Sequence, residues 1–417
     1  MAPSHGGRRL PSRGRGFLRG APGRRPAEAP QVWDPSLMSR FVLAPDSFKE
    51  SMTAVEAARA MRLGVLDADP GAECLECPMA DGGEGFAQAL AAALGARLAE
   101  AAIHDALGRP TTGSFHLAGS TAILDAATAV GLGMIAPDER DVMASDTRGV
   151  GELVSAALDA GARRIIIGLG GTATNDGGAG MLMALGARFL DREDEPLGPS
   201  PASLGAADGP GRLAGIDASG LDPRLEGAEI LAACDVRSPL LGPQGASAVF
   251  GPQKGASSDQ VERLDRHLAR LAELSGSERQ AIASCEGAGA AGGLGWAIMA
   301  FLGGVMRPGV EILIEATGLE RAAIGATAVL TGEGSVDAQT LQGKTAAGVA
   351  RAARAAGSPV VILAGRIDPS ARALLDEGVS ALVPITPEGT PLERALAEGA
   401  ANLRAATARW VRERLGG

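Results

Sequence analysis

Two short stretches of the chain repeat an aspartate followed by two glycines, DGGEG (81–85) and DGGAG (176–180). A third acidic loop, TGEGSVD, carries Glu333 and Asp337. Glycine amides can approach phosphate oxygens closely, and carboxylates bind the hard cation Mg²⁺. Together the three loops predict a site for a magnesium-bound polyphosphate, whereas any one of them alone could be a turn with exposed acids.

The second of these loops belongs to a longer glycine-rich segment. GGTATNDGGAG (170–180) contains five glycines and directly follows the apolar run RRIIIGL (163–169). Each glycine loses more backbone entropy on folding than other residues do, so such a cluster needs a geometric reason. Close approach of the backbone to a ligand is one such reason, and we expect it here.

Lysine is rare in this chain, which has three lysines among 39 basic residues. The three are Lys49 in DSFKES, Lys254 in GPQKGAS and Lys344 in LQGKTAAG. Where arginine serves everywhere else, a lysine indicates a site that needs a compact ammonium group, as a transferring phosphate can. We therefore expect phosphate contacts at these positions, with chance placement as the alternative.

Two nucleotide-binding patterns are incomplete. QGKT (342–345) matches the end of a P-loop, but Ala338 stands where its first glycine belongs, so we expect Lys344 at a helix N-terminus instead. GLGGTA (168–173) fits the dinucleotide pattern G-x-G-x-x-G/A, with acids at 191–195. Because TNDGG then resists helix formation, a nucleotide-dependent oxidoreductase is kept only as an alternative.

Length and charge limit the class of protein. A chain of 417 residues is enough for two domains, and the net charge of −10 argues against a general nucleic-acid surface. Residues 1–37 contain seven arginines against Glu28 and Asp34, with no apolar periodicity. We expect a disordered leader there without a secretory signal, and translation that begins at Met38.

Cysteine usage and hydropathy predict a cytoplasmic protein. The four cysteines are scattered, which fits a reducing compartment. Cys74 and Cys77 lie in a predicted strand on opposite faces, so we expect buried apolar residues rather than a metal site. Residues 287–306 carry no charge, but seven are glycine and five are alanine. This composition favours a buried loop and helix over a membrane span.

The elements that position these loops alternate between strands and helices. A capping box from Thr53 to Glu56 opens the first predicted helix. Short apolar runs that predict strands occur at 41–44, 73–78, 121–125, 163–168, 229–234, 328–334, 359–365 and 380–385. Such alternation implies parallel strands covered by helices, with ligands bound at the carboxyl ends of the strands. No histidine pair and no GxSxG elbow are present, which leaves phosphoryl transfer as the favoured chemistry.

Six longer motifs follow one another along the chain: APDSFKESMTA, PMADGGEG, GLGGTATNDGGAGM, CDVRSPLLGPQGASAVFGPQKGA, GAGAAGGLGWA and TGEGSVDAQTLQGKT. In this set and order, over about residues 40–400, the chain resembles the type 1 bacterial glycerate kinases. The resemblance implies an ATP-dependent, magnesium-requiring kinase that converts D-glycerate to 2-phosphoglycerate, with 3-phosphoglycerate as the other possible product.

The resemblance also implies an α/β fold with two domains and an active site in the cleft between them. One is a Rossmann- or flavodoxin-like parallel-sheet domain formed by both chain ends (38–110 and 311–417). The other is an inserted α/β domain (111–310). The expected partners are D-glycerate and ATP, without nucleic acid or membrane; the oligomeric state stays open.

Residue roles combine the motif match with the chemistry of the loops. The residues expected at the ATP phosphates are Gly170, Gly171, Thr172, Asn175, Lys254 and Lys344. The residues expected at the substrate are Asp46, Ser47 and Lys49. Lys49, Asp176 and Asp235 are the expected catalytic residues, and Asp81, Glu84, Glu333 and Asp337 the expected metal ligands. The sequence does not rank these carboxylates as base or metal ligand.

One departure from the family pattern concerns an anion contact. Ser335 and Val336 stand where the family usually has Arg-Ile, and the neighbouring Arg237 could compensate for the missing cation. Two further classes stay open beside the kinase. One is an oxidoreductase acting on a small hydroxy acid, and the other is a non-catalytic metabolite-binding regulator.

Overall fold

A computed structural model describes residues 38–83, 85–205, 212–337, 340 and 345–416. The predicted leader (1–37) lies outside these residues, as do two of the predicted site residues, Glu84 and Lys344.

Strands and helices alternate over most of the described chain. The strands are β1 (Arg40–Leu43), β2 (Glu73–Glu76), β3 (Arg97–His104), β4 (Pro110–Ala118), β5 (Thr121–Asp125), β6 (Arg164–Gly168), β7 (Arg188–Leu190), β8 (Gly215–Asp217), β9 (Glu229–Ala233), β10 (Val305–Arg307), β11 (Ala328–Val336), β12 (Val360–Ile367) and β13 (Ala381–Pro384). The helices are α1 (Ala54–Ala68), α2 (Phe86–Leu94), α3 (Ala127–Val130), α4 (Arg148–Asp159), α5 (Ala179–Ala184), α6 (Ala246–Phe250), α7 (Ser258–Leu274), α8 (Ser277–Ile282), α9 (Leu294–Leu302), α10 (Gly309–Thr317), α11 (Leu319–Ala323), α12 (Thr345–Ala355), α13 (Ala373–Asp376), α14 (Leu392–Ala397) and α15 (Gly399–Leu415).

Local sequence explains where the first helices begin and end. The Thr53 hydroxyl accepts a hydrogen bond from the Glu56 N–H, and the Glu56 carboxylate accepts one from the Thr53 N–H. This confirms the predicted capping box, which satisfies two amides that a helix start otherwise leaves unpaired. Helix α2 stops at Gly95, whose φ of 61° lies in the left-handed region that favours glycine.

The first sheet is parallel throughout and has the order β13-β12-β11-β1-β2. Its strands come from both ends of the described chain, because Phe41 of β1 lies opposite Ala328 of β11. Cys77 packs in the apolar cluster on one face of this sheet, while Cys74 packs against the cluster on the other. The prediction that the two cysteines face opposite sides is therefore confirmed.

The second sheet mixes strand directions, in the order β10-β9-β6-β5-β4-β3. Strands β5, β6, β9 and β10 are parallel, whereas β3, β4 and β5 form an antiparallel meander. Strands β5, β6 and β9 were predicted; β3, β4 and β10 were not. Strands β3 (RLAEAAIH) and β4 (PTTGSFHLA) each contain only two large apolar residues, which weakens the alternation of apolar and polar residues that marks a half-buried strand.

The two sheets share part of one apolar core. A single buried cluster contains Val42 of the first sheet, Ile123 and Leu231 of the second, and Phe86 of α2. If domains are divided by sheet membership, the boundary falls before β3, because β3 pairs with β4 of the second sheet. The predicted domain boundary was after residue 110. The division into two domains stays a prediction.

The uncharged stretch 287–306 folds inside the protein. It contains a 3₁₀ turn, Ala290–Gly293, and the nine-residue helix α9, most of whose residues are buried. The prediction of a buried loop and helix is confirmed. Within the described residues, no helix combines the length and the apolar character that crossing a bilayer requires.

Candidate active site

Three of the predicted carboxylates influence one another, and we call them the carboxylate cluster: Asp46 after β1, Asp81 after β2 and Asp235 after β9. Burial is the largest cause that raises the pKa of Asp46 to about 6, and the charge of Asp81 adds to it. Burial also raises the pKa of Asp235 to about 7, followed by the charges of Asp81 and Asp46. The carboxyl ends of strands from both sheets thus place three negatively charged side chains close enough to interact.

Asp46 is held by hydrogen bonds on its backbone and on both carboxylate oxygens. The Thr345 hydroxyl donates to Oδ2 at 2.5 Å, and the Ser47 N–H donates to Oδ1 at 2.6 Å. The Asp46 N–H donates to the Gly332 carbonyl of β11 at 2.8 Å. The orientation of this carboxylate is therefore fixed by elements from both ends of the chain, and Ser47 contributes to it.

Asp235 is exposed to solvent, yet burial is still the largest cause of its raised pKa. Both facts fit a side chain that water reaches while protein surrounds it on several sides, as in a cleft. The Gly309 N–H, at the start of α10, hydrogen-bonds the carboxylate and lowers its pKa. Asp235 is thus an anchored carboxylate that a ligand can reach.

The first Asp-Gly-Gly loop is held between the loop after β6 and the start of α10. The Gly170 N–H donates to the Gly82 carbonyl at 3.2 Å. A Cβ added at Gly170 would lie 2.4 Å from Gly83 Cα, and one added at Gly309 would lie 2.2 Å from Gly82 N. These glycines are needed because backbone meets backbone here. The contacts bring Asp81 beside the strand ends of the second sheet.

Asp176 does not fit the catalytic role that the sequence predicted. Its side chain is 0% exposed, and its carboxylate accepts hydrogen bonds from the N–H and the hydroxyl of Thr147 and from the N–H groups of Gly178 and Gly180. A carboxylate with these four donors organises its own loop and is not accessible to substrate or metal. Burial raises its pKa, and the four hydrogen bonds lower it.

Most glycines of the 170–180 segment serve packing, which corrects the expected role of this cluster. A Cβ added at Gly178 would lie 2.3 Å from the Ala297 Cβ, and one at Gly180 would lie 2.5 Å from a backbone nitrogen. Gly171 differs, because it has a φ of 72° and an added Cβ would meet its nearest atom only at 3.6 Å. Of the predicted glycine contacts, Gly171 keeps the geometry of a residue that could face a ligand.

Lys254 is buried inside the same segment. Its ammonium group donates to the Thr174 carbonyl at 2.6 Å and lies 3.4 Å from the Thr172 hydroxyl. Asn175 is also fully buried and donates from Nδ2 to Ser247 Oγ at 2.9 Å. Burial lowers the pKa of Lys254 to about 8, and the charge of Asp176 partly opposes this. Lys254, Thr172 and Asn175 therefore brace the segment from within.

The loop that carries Lys49 lies near the end of β11, where Glu333 and Asp337 are found. Lys49 is exposed in the turn between Phe48 and Met52, and its backbone nitrogen would lie 3.7 Å from a Cβ added at Gly334. Glu333 is half-buried on β11, and the Asp337 N–H, just after this strand, donates to the Thr340 hydroxyl. The structure thus brings the Lys49 loop to the acidic end of β11.

Ser335 and Val336, which stand where the family usually has Arg-Ile, lie beside another arginine. Ser335 is exposed and lies in register with Arg366 on β12, whereas Val336 is buried. Arg237 instead lies 3.9 Å from the Glu286 carboxylate. Arg366 is therefore a cation beside Ser335 on the neighbouring strand, and the compensating role of Arg237 stays a prediction.

Several helix starts around the site are already capped by a carboxylate. Both Asp125 oxygens accept from the Ala87 N–H of α2, Asp176 accepts at the start of α5, and Asp235 accepts from the first amide of α10. A phosphate therefore does not take these amides, although helix starts commonly bind anions. Sequence reasoning missed Asp125; its position as the last residue of strand TAILD was the available signal.

The predicted metal ligands that the structure describes, Asp81, Glu333 and Asp337, do not form a closed metal site. In the part of the chain that the structure describes, no group of three or more His, Cys, Asp or Glu could hold a metal ion. Mg²⁺ commonly binds through one or two carboxylates together with substrate phosphates and water. The carboxylate cluster fits that mode, because its mutually repelling charges would be relieved by a divalent cation.

The loop after β6 lacks the geometry of a dinucleotide fold. Strand β6 ends at Gly168, but α5 begins only at Ala179. In a dinucleotide site, the helix begins within the glycine pattern and directs its N-terminus at the pyrophosphate. The oxidoreductase alternative loses its structural support.

Comparisons with known proteins agree on one family. The model of the glycerate kinase family matches residues 41–414. The chain is 45% identical over 376 residues to a glycerate kinase of Bacillus subtilis (strain 168), covering 89% of this chain and 96% of that protein. It is 42% identical over 346 residues to a glycerate 2-kinase of Escherichia coli (strain K12), covering 82% and 89%. A provisionally assigned glycerate kinase 2 from Salmonella typhimurium LT2 has a similar crystal structure, with a TM-score of 0.80 and 40% identity over 90% of this chain and 98% of that one.

Proposed function

Because this chain belongs to the glycerate kinase family, we propose that it transfers the γ-phosphoryl group of ATP to the 2-hydroxyl of D-glycerate. The phosphorylation of glycerate follows from the family. The choice of the 2-hydroxyl is supported by the relative that is named a glycerate 2-kinase. The oxygen of that hydroxyl forms the new bond to phosphorus as the bond to the β-phosphate breaks, and ADP leaves.

The observation that carries this proposal is the carboxylate cluster at the ends of β1, β2 and β9. A general base works best when its pKa lies near the working pH, and the pKa of Asp235 is raised to about 7. Asp235 is also exposed, so an acceptor hydroxyl can reach it. We assign Asp235 as the base that takes the hydroxyl proton, and Asp46 with Ser47 as the group that orients the acceptor.

Mg²⁺ would bind at Asp81, and Glu333 and Asp337 at the end of β11 are the next candidates. The charge of Asp81 contributes to the raised pKa of both other members of the cluster. When bound, the cation neutralises charge on the phosphates during transfer. The same role stays a proposal for Glu84, which lies outside the described residues.

The remaining predicted residues divide into two groups. Lys49 is exposed beside the end of β11, so we propose that its ammonium contacts the transferred phosphoryl group. Gly171 is exposed and its α-carbon is not closely packed, so we propose that its backbone approaches a nucleotide phosphate. Gly170, Thr172, Asn175 and Lys254 act indirectly by holding the loop that carries Gly171. The proposed phosphate contact of Lys344 lies outside the described residues.

A direct assay tests the proposal. Purified protein is incubated with ATP, Mg²⁺ and D-glycerate while ADP release is followed, and phosphorus NMR then distinguishes 2-phosphoglycerate from 3-phosphoglycerate. We expect ADP release that depends on D-glycerate, and 2-phosphoglycerate as the product. Formation of 3-phosphoglycerate would overturn the regiochemistry alone. Binding of D-glycerate without turnover would support a regulator instead of an enzyme.

The same preparation tests cofactor and compartment. Removing Mg²⁺ with a chelator should stop ADP release, since transfer needs the cation at the phosphates. We propose a cytoplasmic location, which the four free cysteines support, because thiols persist in reducing compartments.

A further inference from the structure

We propose that Thr345 is a positioning residue, whose hydroxyl holds the Asp46 carboxylate in the orientation that receives the acceptor hydroxyl of glycerate. This inference rests on the proposed function. It adds a residue that the motif analysis did not assign to the site.

The two side chains are in direct contact, and Thr345 is buried. Thr345 Oγ1 donates to Asp46 Oδ2 at 2.5 Å, and Thr345 is only 1% exposed. The Ser47 N–H donates to the other oxygen, Oδ1. The Ser47 side chain also hydrogen-bonds this carboxylate. A carboxylate has about four acceptor positions, so one stays open to a ligand hydroxyl.

The backbone around Asp46 is fixed independently by β11. The Asp46 N–H donates to the Gly332 carbonyl, and the Thr331 hydroxyl donates to the Ala44 carbonyl at 2.7 Å. With the backbone held, rotation about the side-chain bonds of Asp46 is the freedom that remains. Thr345, as the first residue of α12, restricts this rotation at Oδ2, while the Ser47 N–H restricts it at Oδ1.

The hydroxyl of Thr345 also favours the charged form of Asp46. Burial and the neighbouring Asp81 raise the pKa of Asp46, and the hydrogen bond from Thr345 is the largest cause that lowers it. A carboxylate must be ionised to accept from a substrate hydroxyl with both oxygens. Thr345 therefore contributes orientation and ionisation at the same atom.

Two variants separate this role from packing. Thr345→Val removes the hydroxyl but keeps the shape, whereas Thr345→Ser keeps the hydroxyl and loses the methyl group. Loss of a hydrogen bond to a charged group should lower kcat/KM for D-glycerate about tenfold or more in Thr345→Val. The KM for ATP should stay unchanged, and Thr345→Ser should retain most of the wild-type kcat/KM.

Thr407→Val is the matched control. It also removes a buried hydroxyl hydrogen bond, but that bond ends on the Leu403 carbonyl within α15, outside the contacts of Asp46. We expect it to lower the melting temperature without the selective loss of kcat/KM for D-glycerate. Equal kinetic losses in Thr345→Val and Thr345→Ser, or a loss that falls on ATP, would overturn the inference.

Crystal structures of both Thr345 variants decide the question without activity. The Asp46 carboxylate should rotate away from its wild-type position in Thr345→Val and keep that position in Thr345→Ser. The same carboxylate position in both would overturn the inference. A wild-type protein that does not turn over D-glycerate would overturn the proposed function only, and the two structures would still test Thr345 as the residue that orients Asp46.

Discussion

The carboxylate of Asp176 accepts hydrogen bonds from both the backbone N–H and the hydroxyl of Thr147, at 2.8 and 2.7 Å. Thr147 precedes α4 and Asp176 precedes α5, so the pair joins the starts of two neighbouring helices. The Thr147 hydroxyl in turn accepts from the Met181 N–H of α5. An Asp-Gly-Gly motif that resembles a ligand loop is therefore an internal brace.

Asp176→Asn should destabilise the fold before it affects chemistry. An amide offers one oxygen where the carboxylate offers two, and its NH₂ group would face hydrogen-bond donors. We expect a loss of about 2–4 kcal/mol in the free energy of unfolding, measured by urea denaturation. Asp138→Asn, at an exposed position, is the control and should change stability little. A stable Asp176→Asn variant without activity would return Asp176 to the catalytic residues.

Asp235→Asn should lower turnover and leave the fold intact. The amide cannot take a proton from the acceptor hydroxyl, so kcat should fall about 10²- to 10⁴-fold. Its oxygen can still accept from the Gly309 N–H, and the melting temperature should stay near that of the wild type. Glu311→Gln is the control, because Glu311 contributes charge at Asp235 from an exposed position. If Asp235→Asn turned over at the wild-type rate, another member of the carboxylate cluster would be the base.

Activity should fall as the pH drops below neutrality. Both Asp46 and Asp235 must be ionised to act, and their pKa values are raised to about 6 and about 7. The profile of kcat/KM against pH should therefore decline on the acidic side between about pH 7 and 5. A flat profile across that range would argue that neither carboxylate takes part in the rate-limiting step.

Asp146 should make the fold less stable at higher pH. It is 5% exposed, and burial followed by the charge of Asp176 raises its pKa to about 6. The folded chain holds this proton more tightly than the unfolded chain, so the contribution to stability is full below about pH 4 and is lost as the pH rises to about 6. A shift of this size corresponds to about 3 kcal/mol.

Urea denaturation at pH 4 and pH 8 measures most of this effect. Asp146→Asn has no charge to bury, and its oxygen can still accept from the Arg148 N–H, as the Asp146 carboxylate does at 2.8 Å. The difference in unfolding free energy between the two pH values should be smaller in the variant than in the wild type. An equal pH dependence in both proteins would show that Asp146 is not the source.

Much of the fold could be predicted because local signals agreed with it. The run FVLA, the capping box at Thr53 and the glycine at position 95 each act within a few residues of the element that they define. The antiparallel strands β3 and β4 were not predicted, because each contains only two large apolar residues and so lacks the clear pattern on which strand prediction depends.

The site was harder to predict because one motif has two uses. Asp81 and Asp176 both precede two glycines, yet Asp81 is exposed and Asp176 is fully buried. The sequence does not distinguish a glycine that lets two backbone segments approach each other from a glycine that makes room for a ligand. Gly82 and Gly178 are both closely packed, so only the exposure of the aspartate in the folded chain separates the two cases.

The pairing of β1 with β11 also affects how a nascent chain folds. Arg40 and Thr327, which hydrogen-bond at the beginning of these strands, are separated by 287 positions. At usual rates of translation, β1 leaves the ribosome roughly 15–60 s before its partner exists. During that interval an apolar strand has an unpaired edge, which other chains can join. Shielding by chaperones, or early pairing with β2, should therefore govern the yield of folded enzyme in the cell.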